Sequence, residues 1–234
     1  MEPCEQVYAA TGLLAALPPR RNGATLYVCD FDNTVATEDV GDRILERFGG
    51  PDWIDWSLRY RRGEIGSREC LTRQYESFRA DWDAYRRFVE EYELDPDFPR
   101  FLAAVRARGH RVIVVSDGVG NYISILFEKY GIAGVPVFSN YGVWNGDGRV
   151  RLQFPHFQPA CEVGCANCKF RHVRLDGSGR KVYIGDGVSD QYGAQAADVI
   201  YAKDRLRDFL AARGVPHTAF SRFADVIVAE GLED

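Results

Sequence analysis

The sequence predicts an α/β fold: a doubly wound parallel sheet with a small helical insertion. Three observations support this. Continuous apolar runs at 26–29 (LYVC), 111–115 (RVIVV) and 181–184 (KVYI) read as strands covered on both faces. Segments with helical spacing separate them, as a parallel sheet requires. Each run ends in a polar turn: Asp30-Phe31-Asp32-Asn33-Thr34, Ser116-Asp117-Gly118 and Gly185-Asp186-Gly187-Val188-Ser189-Asp190. Such sheets bind ligands at the carboxyl ends of their strands, so the three turns are expected to form one site.

Residues 1–23 read as an N-terminal extension, a short helix closed by Pro18-Pro19, without the basic start of a signal peptide. The first strand then runs to Asp30. Residues 35–48 read as a loop and a helix, with Val40, Ile44, Leu45 and Phe48 at helical spacing, ended by Gly49-Gly50-Pro51. Residues 51–95 are aromatic, rich in Arg and free of strand-like runs. They are expected to be helical, with Ser67 as one N-cap and a further helix at 82–92. Their arginines (Arg59, Arg61, Arg62, Arg68, Arg73, Arg79) either form a solvated face or turn one or two guanidinium groups toward an anionic ligand. A helix at 96–108 starts on Pro96 and stops at Gly109. After the strand at 111–115 come a helix at 122–130, a strand at 135–139 and a hairpin at 141–154 turning on Asn145-Gly146-Asp147-Gly148. A short helix follows the cysteine-rich stretch. The strand at 181–184, helix 191–197, strand 199–201, helix 204–213, strand 217–220 and helix 222–230 complete the alternation. The organisation expected is an extension (1–23), a core (24–38 and 96–234) and a helical insertion (39–95).

The composition bounds the function. The chain has 234 residues, 46% apolar and 27% charged, and a net charge of −5 with no basic tract, which argues against a nucleic-acid partner. It contains no run of 18 apolar residues to span a membrane. Three of the six cysteines are scattered, and Cys29 falls in a core strand, so a reducing cytoplasm is expected rather than a secreted disulfide scaffold.

Strand alternation puts Asp30 and Asp32 on one side and Phe31 on the other. Two carboxylates so close repel unless a cation joins them or one pKa rises. Each turn alone also reads as an ordinary polar turn. Three in this order resemble the haloacid dehalogenase superfamily of phosphotransferases, over nearly the whole chain after residue 24. That resemblance implies a HAD-like, Rossmannoid core. It makes Asp30 the nucleophile that forms an aspartyl-phosphate and Asp32 the group that protonates the leaving alkoxide and later deprotonates water. It implies Mg²⁺ held by Asp30, the carbonyl of Asp32 and Asp186, with Asp190 holding a metal-bound water or orienting its loop. Ser116 and the amides of Asp117 and Gly118 would receive the phosphoryl oxygens.

The family also needs a lysine. Phosphatases resembling phosphoserine phosphatase place it on a helix upstream of the last motif, which selects Lys169. Lys181 is the alternative, although five residues of strand would put it about 16 Å from Asp186. The helical insertion after the first motif matches the C1-type cap of the phosphoserine-phosphatase-like branch. Within that branch, the stretch 61–70 (RRGEIGSREC) and the cysteines before Lys169 resemble the methionine-salvage phosphatases of 2-hydroxy-3-keto-5-methylthiopentenyl-1-phosphate. The phosphoethanolamine and phosphocholine phosphatases are less similar. Asn33 stands where Gly is usual in the first motif. Asp39 matches a position that contacts substrate in phosphoserine phosphatases, and also suits a helix N-terminus. Cys161, Cys165 and Cys168, with His172 and nearby His156, have near-metal spacing for a structural Zn²⁺; otherwise they are loop thiols or a redox-labile pair.

The expected function is Mg²⁺-dependent hydrolysis of a small phosphorylated metabolite by a cytoplasmic monomer or homodimer. The alternatives are a phosphatase of a specialised pathway, acting on a phosphosugar, phosphoamino acid or phosphocholine-like substrate, and a non-catalytic phosphate-binding protein.

Overall fold

The computed structural model describes residues 23–159, 163–175 and 179–233. The helix expected before Pro18 and the thiol of Cys161 lie outside the described residues. Among them, seven strands form one sheet: β1 (Leu26–Cys29), β2 (Arg111–Val119), β3 (Val137–Trp144), β4 (Val150–Gln153), β5 (Lys181–Gly185), β6 (Val199–Ala202) and β7 (Thr218–Ala219), in the order β4-β3-β2-β1-β5-β6-β7. All neighbours pair in parallel except β3 and β4. The strand at 135–139 and the first arm of the expected hairpin are therefore one strand, β3, which turns at 145–148 into the antiparallel edge β4.

The central strands alternate between two cores. Tyr27, Cys29, Val112, Val114, Val182 and Ile184 face one; Leu26, Val28, Ile113, Val115 and Tyr183 face the other. This explains why these strands read as unbroken apolar runs. Each fully buried side chain of this size contributes about 1.5–3 kcal/mol.

Helices α1 (Val40–Phe48), α2 (Trp53–Arg61), α3 (Ser67–Glu76) and α4 (Trp82–Val89) form the helical block. The segments that enter and leave it run antiparallel through an isolated bridge between Ala36 and Leu94, with Thr37 N–H donating to Glu93 O and Asp95 N–H to Val35 O. Ser67 is the first residue of α3 and Gly66 the N-cap. The Ser67 hydroxyl instead accepts the Ala166 N–H at 2.8 Å, tying the block to the loop before Lys169.

The remaining helices are α5 (Phe98–Ala107), α6 (Gly120–Lys129), α7 (Lys169–Leu175), α8 (Gln191–Ala194), α9 (Asp204–Ala212) and α10 (Phe223–Ala229). Pro99, not Pro96, occupies the first turn of α5.

The topology fixes where a ligand can sit. Strand order reverses at β1, whose neighbours are β2 and β5. Cys29 is in register with Val114 and with Ile184. The residues just beyond them, Asp30, Ser116 and Asp186, therefore emerge side by side at the switch point. Between Val115 and Val119 the pairing of β2 with β3 is irregular, which frees residues 116–118 from the ladder.

Candidate active site

Phe31 is fully buried against Tyr122 and Phe127, which leaves Asp30 and Asp32 facing the cavity above the sheet. Asn33 has φ 52°. The turn needs a left-handed residue there, and Asn adopts that conformation more readily than most side chains, so its replacement of Gly leaves the turn intact.

Lys169, at the start of α7, is buried between two carboxylates. Its Nζ lies 2.5 Å from Asp30 Oδ1 and 2.7 Å from Asp190 Oδ1. Gly193 on α8 makes room for it: a Cβ at that glycine would stand 2.9 Å from Lys169 Cβ. Lys181 begins β5 in register with Leu26, at the far end of β1 from Asp30. Lys169 is therefore the lysine beside the carboxylates.

Asp190 is fully buried and spent on the protein. Oδ1 accepts from Lys169 and from the Tyr183 hydroxyl at 2.7 Å, and Oδ2 accepts the N–H groups of Asp186 and Gly187. This arrangement holds the loop 186–190 in shape. Asp186 accepts the Thr34 hydroxyl at 3.2 Å and faces Asp30.

Carboxylate oxygens of Asp30, Asp186 and Asp190 all lie within 4.8 Å of one another. Three acids share one ammonium, so negative charge is in surplus. Burial, and then Asp190, push the Asp30 carboxyl up to about 6 against the opposing pull of Lys169. Burial, Asp30 and Asp190 push Asp186 up to about 9. Lys169 is held above the ordinary lysine range by the two carboxylates, although burial opposes this. A surplus of hard oxygen donors fits a divalent cation such as Mg²⁺.

Asp32 is gripped at both oxygens. Oδ1 accepts the N–H groups of Val40 at 3.0 Å and Gly41 at 3.3 Å, the first turn of α1, while Oδ2 accepts the Tyr122 hydroxyl at 2.6 Å. Burial, and then Asp39, hold its pKa well above the usual carboxylate range. Asp39 caps α1, accepting the Asp42 N–H at 2.8 Å, and also lines the cavity.

In the freed segment, the Ser116 hydroxyl accepts the Gly118 N–H at 3.0 Å. The Asp117 carboxylate accepts the Asn167 N–H at 2.7 Å and is also hydrogen-bonded to Ser67. Asn167 is a residue that the motifs did not mark. Its amide donates to Ser116 O and Phe138 O, both at 2.8 Å, and pins the loop to β3.

The zinc expectation is not supported. Among the described residues, Cys165, Cys168 and His172 form no group close enough to share a metal. His172 Nε2 lies 2.7 Å from Asn167 Oδ1, and its ring stacks on Phe138. Burial holds its pKa well below the usual value. The imidazole supports the Asn167 brace.

The arginines of the helical block are mostly engaged elsewhere. Arg59 and Arg62 meet Glu64, Arg73 meets Glu76, Arg79 donates to the carbonyls of Glu76 and Phe78, and Arg68 stacks over Phe157. Arg61 alone of these lines the cavity, and it is paired with Asp42 at 2.6 Å.

The cavity has a volume of about 440 Å³. Its floor is Asp30, Asp32, Ser116, Gly118 and Asp186; its wall comes from α1, α2 and α3, including Leu45, Ser57, Tyr60, Cys70, Gln74 and Tyr75.

Comparison with known proteins agrees with this arrangement. A 2-hydroxy-3-keto-5-methylthiopentenyl-1-phosphate phosphatase from Exiguobacterium sp. strain AT1b is 29% identical over 211 residues, 87% of this chain and 95% of the relative. One of the same name from Brevibacillus brevis is 27% identical over 206 residues, 85% of this chain and 91% of the relative. A substrate-bound phosphoserine phosphatase superposes with a TM-score of 0.66 at 16% identity, covering 91% of this chain and 99% of that one. A HAD family hydrolase from Salmonella enterica serovar Typhi superposes with a TM-score of 0.69 at 15% identity, covering 97% of this chain and 80% of that one. At these identities the structural matches establish the fold alone. The family model for haloacid dehalogenase-like hydrolases matches residues 27–195, and the chain belongs to that family.

Proposed function

We propose that this protein is a phosphomonoesterase that transfers the phosphoryl group of a small metabolite to Asp30 and then to water. The observation that carries the reading is Asp30 itself: a buried carboxylate held through Oδ1 by Lys169 and facing Asp186 and the freed loop 116–118. Oδ2, the oxygen that Lys169 does not hold, would attack phosphorus. Ser116 and the amides of residues 117 and 118 receive the phosphoryl oxygens, the Gly118 N–H exchanging the Ser116 hydroxyl it holds here for the phosphate, and Lys169 neutralises charge on the transferring group. Asp32 gives its proton to the departing alkoxide and takes one from the incoming water. Asp30, Asp186 and the carbonyl of Asp32 would hold Mg²⁺, with Asp190 bracing them. The ion would supply positive charge to the phosphoryl oxygens. An intact acid–nucleophile pair beside a buried lysine disfavours a non-catalytic binder.

Residues 39–95 act as a cap over a core of 24–38 and 96–234, excluding water from the reaction. The wall it supplies is mostly uncharged. Arg61 is neutralised by Asp42, Gln74 donates to Ser57 Oγ and Trp53 O, and Tyr60 and Tyr75 bring phenols. This supports a substrate whose remainder is an uncharged, partly polar chain, in line with the compound named for the relatives, and not one with a second anionic group. Asp39 favours a second reading, a phosphocholine- or phosphoamino-acid-like substrate whose ammonium meets that carboxylate. The protein would work in the cytoplasm, as a monomer or homodimer; among the described residues no helix is long and apolar enough to cross a membrane. A panel of phosphorylated metabolites assayed with Mg²⁺ tests the reading. Neutral-chain phosphomonoesters are expected to give the highest kcat/KM, and a preference for ammonium-bearing substrates would select the second reading. No hydrolysis of any phosphomonoester would refute both.

Metal dependence has a predicted pH signature. In the metal-free protein Asp30 and Asp186 ionise near 6 and 9, well above their ordinary 3.8. Between those limits the folded state binds more protons than the unfolded state, so stability falls as pH rises. Mg²⁺ replaces those protons. The rise in Tm on adding Mg²⁺ to EDTA-treated protein should be larger at about pH 8.5 than at about pH 5.5. An equal rise at both would remove these carboxylates from the metal site.

A further inference from the structure

Resting on the phosphatase reading, we infer that Tyr122 is a positioning residue for proton transfer to the leaving group. Its phenol selects the atom of Asp32 that carries the proton.

The two oxygens of Asp32 are not equivalent. Oδ1 accepts two backbone N–H groups, from Val40 and Gly41, at the N-terminus of a nine-residue helix. Both need an oxygen with lone pairs to accept them, and the helix end favours negative charge there. A proton on Oδ1 would cost at least one of these contacts. Oδ2 has one partner, the Tyr122 hydroxyl at 2.6 Å. One lone pair of Oδ2 is therefore taken by the phenol and the other is left for the transferable proton.

The phenol is fixed in place. Tyr122 is 1% exposed, its ring packs on Phe31 between the two aspartates, and its partner lies 90 residues away in sequence. The hydroxyl also sits against the phosphate-side loop: a Cβ at Gly118 would stand 1.8 Å from it and 3.2 Å from Asp32 Oδ2. Gly118 thus lets the phenol pass between the loop and the acid. Asp32, Gly118 and Tyr122 all line the cavity, so the Oδ2 side of the acid lies on the wall that a bound phosphate ester would meet.

Proton bookkeeping follows. As the P–O bond breaks, its electron pair goes to the leaving oxygen, which takes the proton from Oδ2. The Oδ2 left behind is an anion, and the Tyr122 O–H···Oδ2 bond becomes charge-assisted. When water attacks the phosphorylated Asp30, its proton returns to the same lone pair. Tyr122 keeps its own proton throughout.

The test uses leaving groups that differ in their need for a proton. Tyr122→Phe removes one oxygen and keeps the ring in its packing. Phosphorylation by an alkyl phosphate needs protonation of the alkoxide; phosphorylation by p-nitrophenyl phosphate expels a stable phenolate. Tyr122→Phe is expected to lower kcat/KM for the alkyl ester about tenfold or more, a fraction of what general acid catalysis supplies, and to leave the nitrophenyl ester within about threefold of wild type. An equal loss on both esters would make Tyr122 merely structural, and no loss on either would overturn the inference. Failure of the wild-type protein to hydrolyse either ester would instead strike the phosphatase reading, which makes the two failures distinguishable.

Discussion

Asp30→Asn is expected to abolish turnover while leaving the protein folded and, without metal, at least as stable as wild type. The catalytic half of this expectation rests on geometry. Among the described residues no other carboxylate stands at the end of β1 against Lys169, and an amide oxygen is too weak a nucleophile to replace it. Loss of the nucleophile in a covalent mechanism costs about 10⁴-fold or more in kcat. The stability half rests on charge. Asp30, Asp186 and Asp190 crowd three carboxylates around one ammonium, and the carboxyls of Asp30 and Asp186 are both pushed upward by burial first and by the neighbouring carboxylates next. An amide at position 30 still accepts from Lys169, removes one of the repelling charges, and leaves Asp190 paired with the lysine. Thermal unfolding in EDTA at about pH 8 should therefore give a Tm equal to or above that of wild type. Mg²⁺-dependent hydrolysis retained in this variant would remove Asp30 from the nucleophile's role. A collapse of Tm in EDTA would show that the carboxylate is a structural partner of Lys169 first.

Much of this site is legible in the sequence because its principal residues stand at strand ends, where the chain writes them in contiguous order. Asp30, Asp32, Ser116 and Asp186 each close an apolar run, and the register of β1 with β2 and β5 then brings those ends together. What the sequence hides is everything that braces them. Tyr122 reaches Asp32 across 90 residues, and Asn167 reaches Ser116 across 51. In the sequence, Tyr122 is one more apolar position on an amphipathic helix, and Asn167 is one more polar residue of a loop. Periodicity reports which face is buried, not which hydroxyl or amide finds a partner. The zinc expectation finds no support among the described residues for a related reason. The spacing of Cys161, Cys165 and Cys168 suggested a ligand set, but His172 is already engaged by Asn167, a fact of tertiary structure. The arginines of the helical block show the opposite case. Composition favoured a solvated face, and pairing with neighbouring glutamates largely bears that out, with Arg61 turned inward but neutralised by Asp42.

Lys169→Met tests the other half of the charge arrangement and is expected to damage both fold and function. The lysine side chain is 1% exposed, and its ammonium is the cation within hydrogen-bonding distance of both Asp30 and Asp190. Methionine fills nearly the same volume, so little packing is lost. What is lost is the counter-charge, and breaking a buried ion pair from one side costs about 3–5 kcal/mol because the partner charges remain. For a chain of this size that corresponds to a drop in Tm of roughly 10 °C. The remaining carboxylates can relieve the repulsion by taking up protons. The loss should therefore be smallest at low pH and grow as pH rises, and Mg²⁺ should restore part of it. Function should not return with the metal alone, since among the described residues no second ammonium lies against Asp30 to share the charge of the transferring phosphoryl group; kcat should stay down by about 10²-fold or more. Lys181→Met serves as the control. Lys181 begins β5 at the opposite end of the sheet, and its replacement should leave activity unchanged and stability within about 0.5 kcal/mol. Wild-type turnover in Lys169→Met together with a loss in Lys181→Met would reverse the assignment. Loss of activity in Lys169→Met without any pH-dependent loss of stability would mean that the three carboxylates do not share charge in solution as their spacing requires.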